Sequence, residues 1–245
     1  MGQTPWSALV CGEPPGLTAQ VSNPASSISY STRSALPVFA RIGEVYIPEH
    51  FRENNETVLR QFVAAHSFGV LVTNGGQDLI ATHLPLLLEG ETIVGHVARP
   101  NGQARDLESG CQAMAVFSGP HAYISPSLYA QPQINVPTWN YTAVHVYGKP
   151  SIISEPSEVA KLLLKMVSVY ESGRAMPWTF DADAAYIQNM MRAIVAFKIP
   201  IERMEGKFKL SQNRPIGDRG RVMWSLKDSE SQADQELGKW MEKLF

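Results

Sequence analysis

Cysteine is scarce in this sequence. Its 245 residues contain two cysteines, Cys11 and Cys111, which lie far apart and lack the paired spacing of a zinc site. This argues against both a disulfide framework and a metal centre, and it fits a reducing cytoplasm. Long apolar runs are lacking as well, since no stretch approaches the ~18 residues of a membrane-spanning helix. The sequence therefore predicts a cytoplasmic protein with no membrane partner.

An excess of either charge is also missing. The formal net charge is -2, which argues against a broad electrostatic surface for wrapping DNA. A local basic patch is still compatible with this balance. The length of the chain allows one large domain or two small ones.

Residues 1–44 have few charged side chains and no periodic apolar pattern. They contain seven serines and five prolines but four charged residues, and they lack the basic start and apolar stretch of a secretory signal. One interpretation is a disordered leader that buries too little apolar surface to fold. The other is non-native sequence translated ahead of a start at Val45, because valine codons can serve as bacterial starts.

The remaining sequence is predicted to contain both strands and helices. A helix is predicted around 51–63, capped by Asn54 or Asn55. Three strands joined by tight turns follow over 68–99, then a short helix that ends at Gly110. Further strands are predicted over 112–126 and 142–153, and a strand pair or one long bent strand is predicted over 194–213. Helices are predicted over 156–172, 182–193 and 231–245. About six mostly antiparallel strands with inserted helices indicate an α+β domain centred on a barrel.

Three stretches carry more polar side chains than packing requires. Residues 95–103, GHVARPNGQ, lead from a strand into a helix start, where Arg99, Asn101 and Gln103 could form an anion cradle. Many ordinary strand–helix turns have the same composition, so this stretch alone decides little.

The second stretch, NVPTWNYTAVHVYG over 135–148, places aromatic and hydrogen-bonding side chains at the start of a strand. Trp139 and Tyr141 could stack on a flat heterocycle beside Asn140. Alternatively, the two rings plug the barrel end, and Asn140 holds the loop through the backbone.

The third stretch, 203–221, contains six basic residues against two acidic ones. On a strand Lys207 and Lys209 share one face, and Ser211, Gln212 and Asn213 follow with hydrogen-bonding groups. The patch could hold a ligand phosphate or the DNA backbone. A solvated protein face is the alternative.

A catalytic or metal-binding constellation is not recognisable. His83, His96, His121 and His145 fall on separate predicted strands without metal-ligand spacing. Cys111 has no nucleophile context, so the sequence nominates no catalytic residue.

Five segments of the sequence together resemble the PaiB family of FMN-binding split-barrel transcriptional regulators. They are YIPEHF (46–51), THLPLLL (82–88), GHVARPNGQ (95–103), VPTWNYTAVHVYG (136–148) and GKFKLSQNR (206–214). The resemblance covers about 45–225 in the same order and excludes residues 1–44. Residues 226–245 then form a C-terminal helix that packs on or extends this domain.

The resemblance implies a mostly antiparallel, six-stranded split β-barrel that forms a homodimer, with FMN at the subunit interface and a role in negative regulation of transcription. It adds Thr82 and His83 to the candidate cofactor-binding residues. In flavoprotein split barrels, a hydroxyl and a lysine that hold the FMN phosphate lie four to six residues before a leucine. Counted back from Leu107, these places hold Asn101 and Gln103, so the basic phosphate anchor is absent at Gln103.

Arg99, Arg105 or the lysines 207 and 209 of a dimer partner would have to replace that anchor. No helix-turn-helix is recognisable, so a DNA partner follows from the resemblance alone. Two alternatives to the regulator are an enzyme of the same fold, a flavin-dependent oxidoreductase or flavin reductase, and a ligand-sensing protein that neither binds DNA nor turns over a substrate.

Overall fold

Two antiparallel sheets organise the part of the chain that the computed structural model describes, residues 45–76 and 78–244. The prediction for residues 1–44 lies outside this part. The larger sheet has the strand order β1 (Arg52–Glu53), β10 (Arg203–Lys209), β7 (Thr138–Gly148), β6 (Ala113–Ile124), β2 (Phe68–Asn74) and β3 (Leu79–Pro85). The smaller sheet has the order β4 (Leu87–Glu89), β5 (Thr92–Ala98), β9 (Ile194–Pro200) and β8 (Ser151–Ile153).

Both sheets contribute to one apolar core. The chain passes from the larger to the smaller sheet at Leu86, which is fully buried between β3 and β4. Phe117 and Val144 of the larger sheet share this core with Ile93 and Phe197 of the smaller sheet. The α+β split barrel expected from the sequence is thereby confirmed. Three of the six predicted strands are each divided in two, and the resulting nine strands, together with the short β1, form the two sheets.

Burial alternates along β7 because successive side chains of a strand point to opposite faces. Asn140, Thr142, Val144 and Val146 are buried, whereas the residues between them are half-buried or exposed. This alternation divides the aromatic stretch between an inner and an outer face of the larger sheet.

Six helices follow or interrupt the strands within the described residues: α1 (Glu56–Ala65), α2 (Gln103–Ser109), α3 (Pro156–Glu171), α4 (Ala185–Arg192), α5 (Ile216–Lys227) and α6 (Gln232–Glu242). Asn55 caps α1, since its side chain accepts hydrogen bonds from the backbone N–H groups of Thr57 and Val58. Gly110 ends α2 in the left-handed conformation at φ 66°, as the sequence predicted.

The segment 194–213 forms a pair of strands, which is one of the two alternatives that the sequence left open. β9 and β10 are separate strands, the second ends at Lys209, and Ser211 adopts a positive φ of 65°. Helix α5 then begins after Pro215. The basic residues of this segment obscured the apolar stripe of Val222, Met223 and Leu226, which α5 buries.

The two C-terminal helices pack against each other and against the barrel. Leu237 and Met241 of α6 are buried in the main core, together with Val222 of α5. None of the helices in the described part of the chain is long and apolar enough to cross a membrane.

Candidate functional site

The outer face of the six-stranded sheet is the surface on which the predicted aromatic and basic stretches meet. Antiparallel pairing sets Tyr141 opposite Lys209, and His145 opposite Glu205. Along its other edge, β7 pairs with β6, and this pairing sets Trp139 opposite Tyr123. Because paired residues point to the same side of a sheet, these side chains share one surface.

Three cations gather where β10 ends. Lys207 donates a hydrogen bond of 2.8 Å from Nζ to the carbonyl oxygen of Tyr46, and its ammonium lies 5.7 Å from the ring centroid of Tyr141. Lys209 donates to Thr138 Oγ1 and, at 2.8 Å, to the carbonyl oxygen of Trp139. We call Lys207, Lys209 and Arg214 the lysine cluster.

Lys209 lies in a locally positive environment. Partial burial lowers the pKa of this lysine, and the positive charges of Lys207 and Arg214 lower it further. Because burial and neighbouring cations disfavour the charged form of Lys209, an anion that binds nearby would stabilise that form. The lysine cluster is therefore suited to a phosphate group.

A groove of about 370 Å³ runs along β6 and β7 on this face. Its walls include Val116, His121, Trp139, Tyr141 and His145. The indole of Trp139 is 53% exposed, and it lies edge-on to Tyr123 with ring centroids 6.0 Å apart. An exposed ring of this size offers a flat apolar surface for stacking.

His145 is a residue of this groove that the sequence did not nominate for binding. Burial lowers its pKa most; the negative charge of Glu205 raises it to a smaller extent, and the positive charge of Lys207 lowers it. Its Nδ1 is buried and has no hydrogen-bond partner among the described residues. The imidazole is therefore neutral at pH 7, and Nδ1 can still bond to a ligand. Period-two alternation from Trp139 would have placed His145 on the ligand-facing side.

A buried polar group lies farther along the same face. Tyr147 donates a hydrogen bond of 2.9 Å to Glu205 Oε2, and the guanidinium of Arg203 lies 4.0 Å from the ring centroid of Tyr147. Burial, followed by the contact with Glu205, raises the pKa of Tyr147 to about 12. Glu205 also accepts a hydrogen bond from the backbone N–H of Val45, so this group fixes the start of the described chain.

The turn between β5 and α2 uses its polar groups internally. Gln103 is completely buried, and its Nε2 donates to the carbonyl oxygens of Leu71 and Ile80 at 3.0 and 3.1 Å. Asn101 donates to Thr82 Oγ1 at 3.1 Å and accepts from the backbone N–H of Gln103. Gln103 thus pins α2 to β2 and β3, which corrects its interpretation as a group that faces a phosphate.

Arg99 is exposed, but its guanidinium donates hydrogen bonds within the protein. Its Nε donates to the carbonyl oxygen of Arg192 at 3.0 Å, and its Nη2 donates to that of Ile194 at 2.9 Å. Arg99 therefore holds the connection between α4 and β9, and the structure does not bring it to the lysine cluster.

Several residues of the second and third stretches are structural. Asn140 is fully buried and donates from Nδ2 to Ser211 Oγ at 2.8 Å, which ties β7 to the turn after β10. Gln212 folds back onto its own turn, where Oε1 accepts from the backbone N–H of Leu210. A ligand on the outer face does not reach Asn140 or Ser211, whereas Asn213 is exposed.

Two groups of candidate residues lie near opposite edges of the larger sheet. Thr82 and His83 belong to the edge strand β3, and the lysine cluster belongs to β10 and its following turn. Four strand-to-strand steps separate β3 from β10, which is roughly 19 Å along the sheet. One phosphate therefore cannot contact both groups within a single chain.

The residues of the outer face fit FMN in two respects. The lysine cluster supplies positive charge for a phosphate. Trp139 and Tyr141 supply ring surface for a flat heterocycle in the adjoining groove. The β5–α2 turn fits less well, because Gln103 is completely buried and both bonds of Arg99 hold the connection between α4 and β9.

Comparison with known proteins agrees with this fold and cofactor. Residues 45–203 match the family described as "Putative FMN-binding domain". The chain is 39% identical over 203 residues to the Bacillus subtilis "Protease synthase and sporulation protein PAI 2". This match covers 81% of this chain and 97% of the relative. An uncharacterized protein of Aspergillus fumigatus is 29% identical over 233 residues, 73% of this chain and 89% of that protein.

Solved structures share the fold at low sequence identity. The flavocytochrome Anf3 from Azotobacter vinelandii superposes with a TM-score of 0.54 at 14% identity, over 69% of this chain and 74% of that chain. A FAD and heme binding protein from Mycobacterium smegmatis superposes with a TM-score of 0.53 at 12% identity, over 65% of this chain and 73% of that chain. The match over residues 45–203 and the identity to PAI 2 together establish that the chain belongs to the PaiB family of FMN-binding split-barrel proteins.

Proposed function

We propose that this protein is a cytoplasmic, homodimeric regulator that represses transcription and binds FMN on the outer face of its larger sheet. The observation that carries the proposal is the lysine cluster beside the exposed aromatic groove. Positive charge next to exposed aromatic rings is the pairing that a flavin mononucleotide requires, since its phosphate is anionic and its ring system is flat. The regulatory role is proposed from the resemblance to the PaiB family alone.

A dimer is the arrangement that would complete the site. Thr82 and Asn101 lie far from the lysine cluster within one chain, because β3 and β10 are four strands apart. A second copy docked on the outer face could bring its lysine cluster to the first copy's β3 edge. FMN would then contact residues from both copies.

The outer face itself supports this arrangement. Between β3 and β7 it exposes large apolar side chains that no described helix covers, among them Phe68 at 66% and Leu79 at 73% exposure. Contiguous apolar surface of this kind usually marks an interaction site. A second copy is the occupant that fits an aromatic, weakly charged sheet face.

The test is a titration of FMN into the purified dimer, followed by flavin fluorescence. The double variant Lys207→Ala with Lys209→Ala should weaken FMN at least tenfold, because charge-assisted contacts contribute roughly 1.5–3 kcal/mol each. Lys149→Ala is the matched control, since Lys149 is exposed and lies outside the cluster. Unchanged FMN affinity in the double variant would contradict the proposed phosphate site.

DNA is the other anion that the lysine cluster could hold. In that case the double variant would keep its FMN affinity and lose affinity for DNA. Its salt dependence would also flatten by about one unit in log K against log salt for each phosphate contact removed. Titration of both ligands at two salt concentrations separates the two outcomes.

A flavin-dependent oxidoreductase or flavin reductase is the second candidate function. The observation that favours it is His145, a neutral imidazole whose buried Nδ1 has no partner among the described residues. A neutral histidine beside a flavin could act as a proton acceptor. Turnover of reduced nicotinamide by the FMN-loaded protein, lost in His145→Phe, would decide for the enzyme.

A further inference from the structure

A second cavity, of about 490 Å³, lies between α3, α4, the loop of residues 173–184 and strand β5. We call it the helix cavity. Its lining residues differ entirely from those of the groove on β6 and β7. Its volume is in the range of sites that hold a small organic ligand.

The lining of the helix cavity is mostly apolar and deformable. Met166, Met190 and Met191 contribute unbranched thioether side chains, which adapt their shape to a guest. Trp178 and Phe180 form one wall, with ring centroids 5.7 Å apart. Aromatic and methionine walls favour a flat, apolar molecule.

A buried polar atom interrupts the apolar lining. His96 of β5 lies in the cavity wall, and its Nδ1 is buried without a hydrogen-bond partner among the described residues. A buried nitrogen without a partner costs free energy, which a ligand hydroxyl or amine would recover. Burial also lowers the pKa of His96, so its imidazole is neutral at pH 7.

Charge at the cavity selects against anions. Glu171 is the charged residue among the lining side chains, and it accepts a hydrogen bond of 3.0 Å from the backbone N–H of Trp178. Its cationic partner Arg174 is mostly exposed to solvent, outside the lining. The cavity therefore offers a neutral imidazole and apolar walls, and its lining among the described residues includes no lysine or arginine to hold an anion.

We propose that the helix cavity binds a small, uncharged aromatic molecule through stacking contacts and one hydrogen bond to His96 Nδ1. A ligand with a hydroxyl or amine on a one- or two-ring aromatic core has this chemistry. The proposal is independent of the flavin site, because the two cavities share no residue and prefer ligands of different charge.

The test uses three probes that share one ring system. 2-Naphthol offers a hydroxyl, 2-methylnaphthalene replaces it with a methyl group, and 2-naphthoate replaces it with a carboxylate. Isothermal titration calorimetry with the full chain should give the tightest binding for 2-naphthol. 2-Methylnaphthalene should bind about three- to tenfold more weakly, the equivalent of one hydrogen bond. 2-Naphthoate should show no measurable binding.

Two variants locate the binding. Val167→Trp fills the cavity from α3 and should abolish 2-naphthol binding, whereas Val169→Trp places the same bulk on the exposed side of that helix and should leave it unchanged. His96→Leu should remove the preference for 2-naphthol over 2-methylnaphthalene while both still bind.

Three results would overturn the proposal. The first is no binding of 2-naphthol to the unmodified protein. The second is full binding in Val167→Trp whose circular dichroism matches that of Val169→Trp. The third is 2-naphthoate binding as tightly as 2-naphthol. If Val167→Trp fails to fold, titration of His96→Leu decides alone, because an unchanged preference for 2-naphthol contradicts the proposed contact.

Discussion

At the scale of single residues, neighbouring polar side chains have different roles, since some are buried and structural and others lie on the outer face. Asn140 and Tyr141 are neighbours, yet Asn140 is fully buried against Ser211 and Tyr141 lies on the outer face beside Lys207. Gln103 and Arg99 differ in exposure in the same way, although both donate hydrogen bonds to backbone carbonyl oxygens. The face of a strand, and not the residue type, decides which polar group meets a ligand.

Tyr147 gives a prediction at this scale. Its pKa is raised to about 12, so the folded state keeps the phenol protonated above the pH at which the unfolded chain releases it. This contribution to stability is complete below pH ~10 and is lost as the pH rises from there to about 12. The urea midpoint should therefore fall between pH 10 and 12, and it should fall less in Tyr147→Phe.

The matched control for Tyr147→Phe is Tyr186→Phe, because Tyr186 is 71% exposed. This variant should follow the unmodified protein over the whole pH range. An identical slope for all three proteins would refute the link between Tyr147 and alkaline stability.

At the scale of elements, the two C-terminal helices belong to the barrel core and carry its stability. Helix α6 buries Leu237 completely, whereas Leu244 after the helix is 40% exposed. Leu237→Ala should lower the free energy of unfolding by about 2–5 kcal/mol, since truncation leaves a cavity in a close-packed core. Urea unfolding measures the difference.

Leu244→Ala serves as the matched control for α6. A partly exposed leucine should change the free energy of unfolding by about 0.5 kcal/mol or less. Equal effects of both substitutions would mean that α6 does not contribute its buried stripe to the core.

At the scale of the whole molecule, the uncovered outer face predicts association. We expect a dimer at micromolar concentration in sedimentation velocity. The double variant Phe68→Glu with Leu79→Lys should be monomeric, because charged groups buried in an apolar interface are not solvated. Met176→Lys changes an 89% exposed residue elsewhere and should remain dimeric. A monomeric unmodified protein would rule out the shared flavin site.

Residues 1–44 give the second prediction at this scale. Their few charged residues and lack of apolar periodicity indicate that they add nothing to the fold. A chain that starts at Val45 should unfold at the same temperature as the full chain. A loss of about 4 °C, which corresponds to roughly 1 kcal/mol at this size, would show that the segment stabilises the domain.

The sequence by itself determined the class of this protein. Local signals in the sequence predicted individual strands, turns and helix ends. These signals are period-two alternation, the turn residues at Asn74–Gly76, the cap at Asn55 and Gly110 after α2. The order of the motifs over 45–225 indicated the family without reference to three-dimensional contacts. Helix α5 was missed because basic residues diluted its apolar stripe.

Only the tertiary structure decided which candidate residues meet. Strand order places β3 and β10 four strands apart, so motifs that look like one phosphate site in the sequence become two separate groups. Packing also created the helix cavity and left His96 and His145 without partners for Nδ1 within the described chain. These properties depend on contacts between distant segments, and local residue patterns do not encode the distances between them.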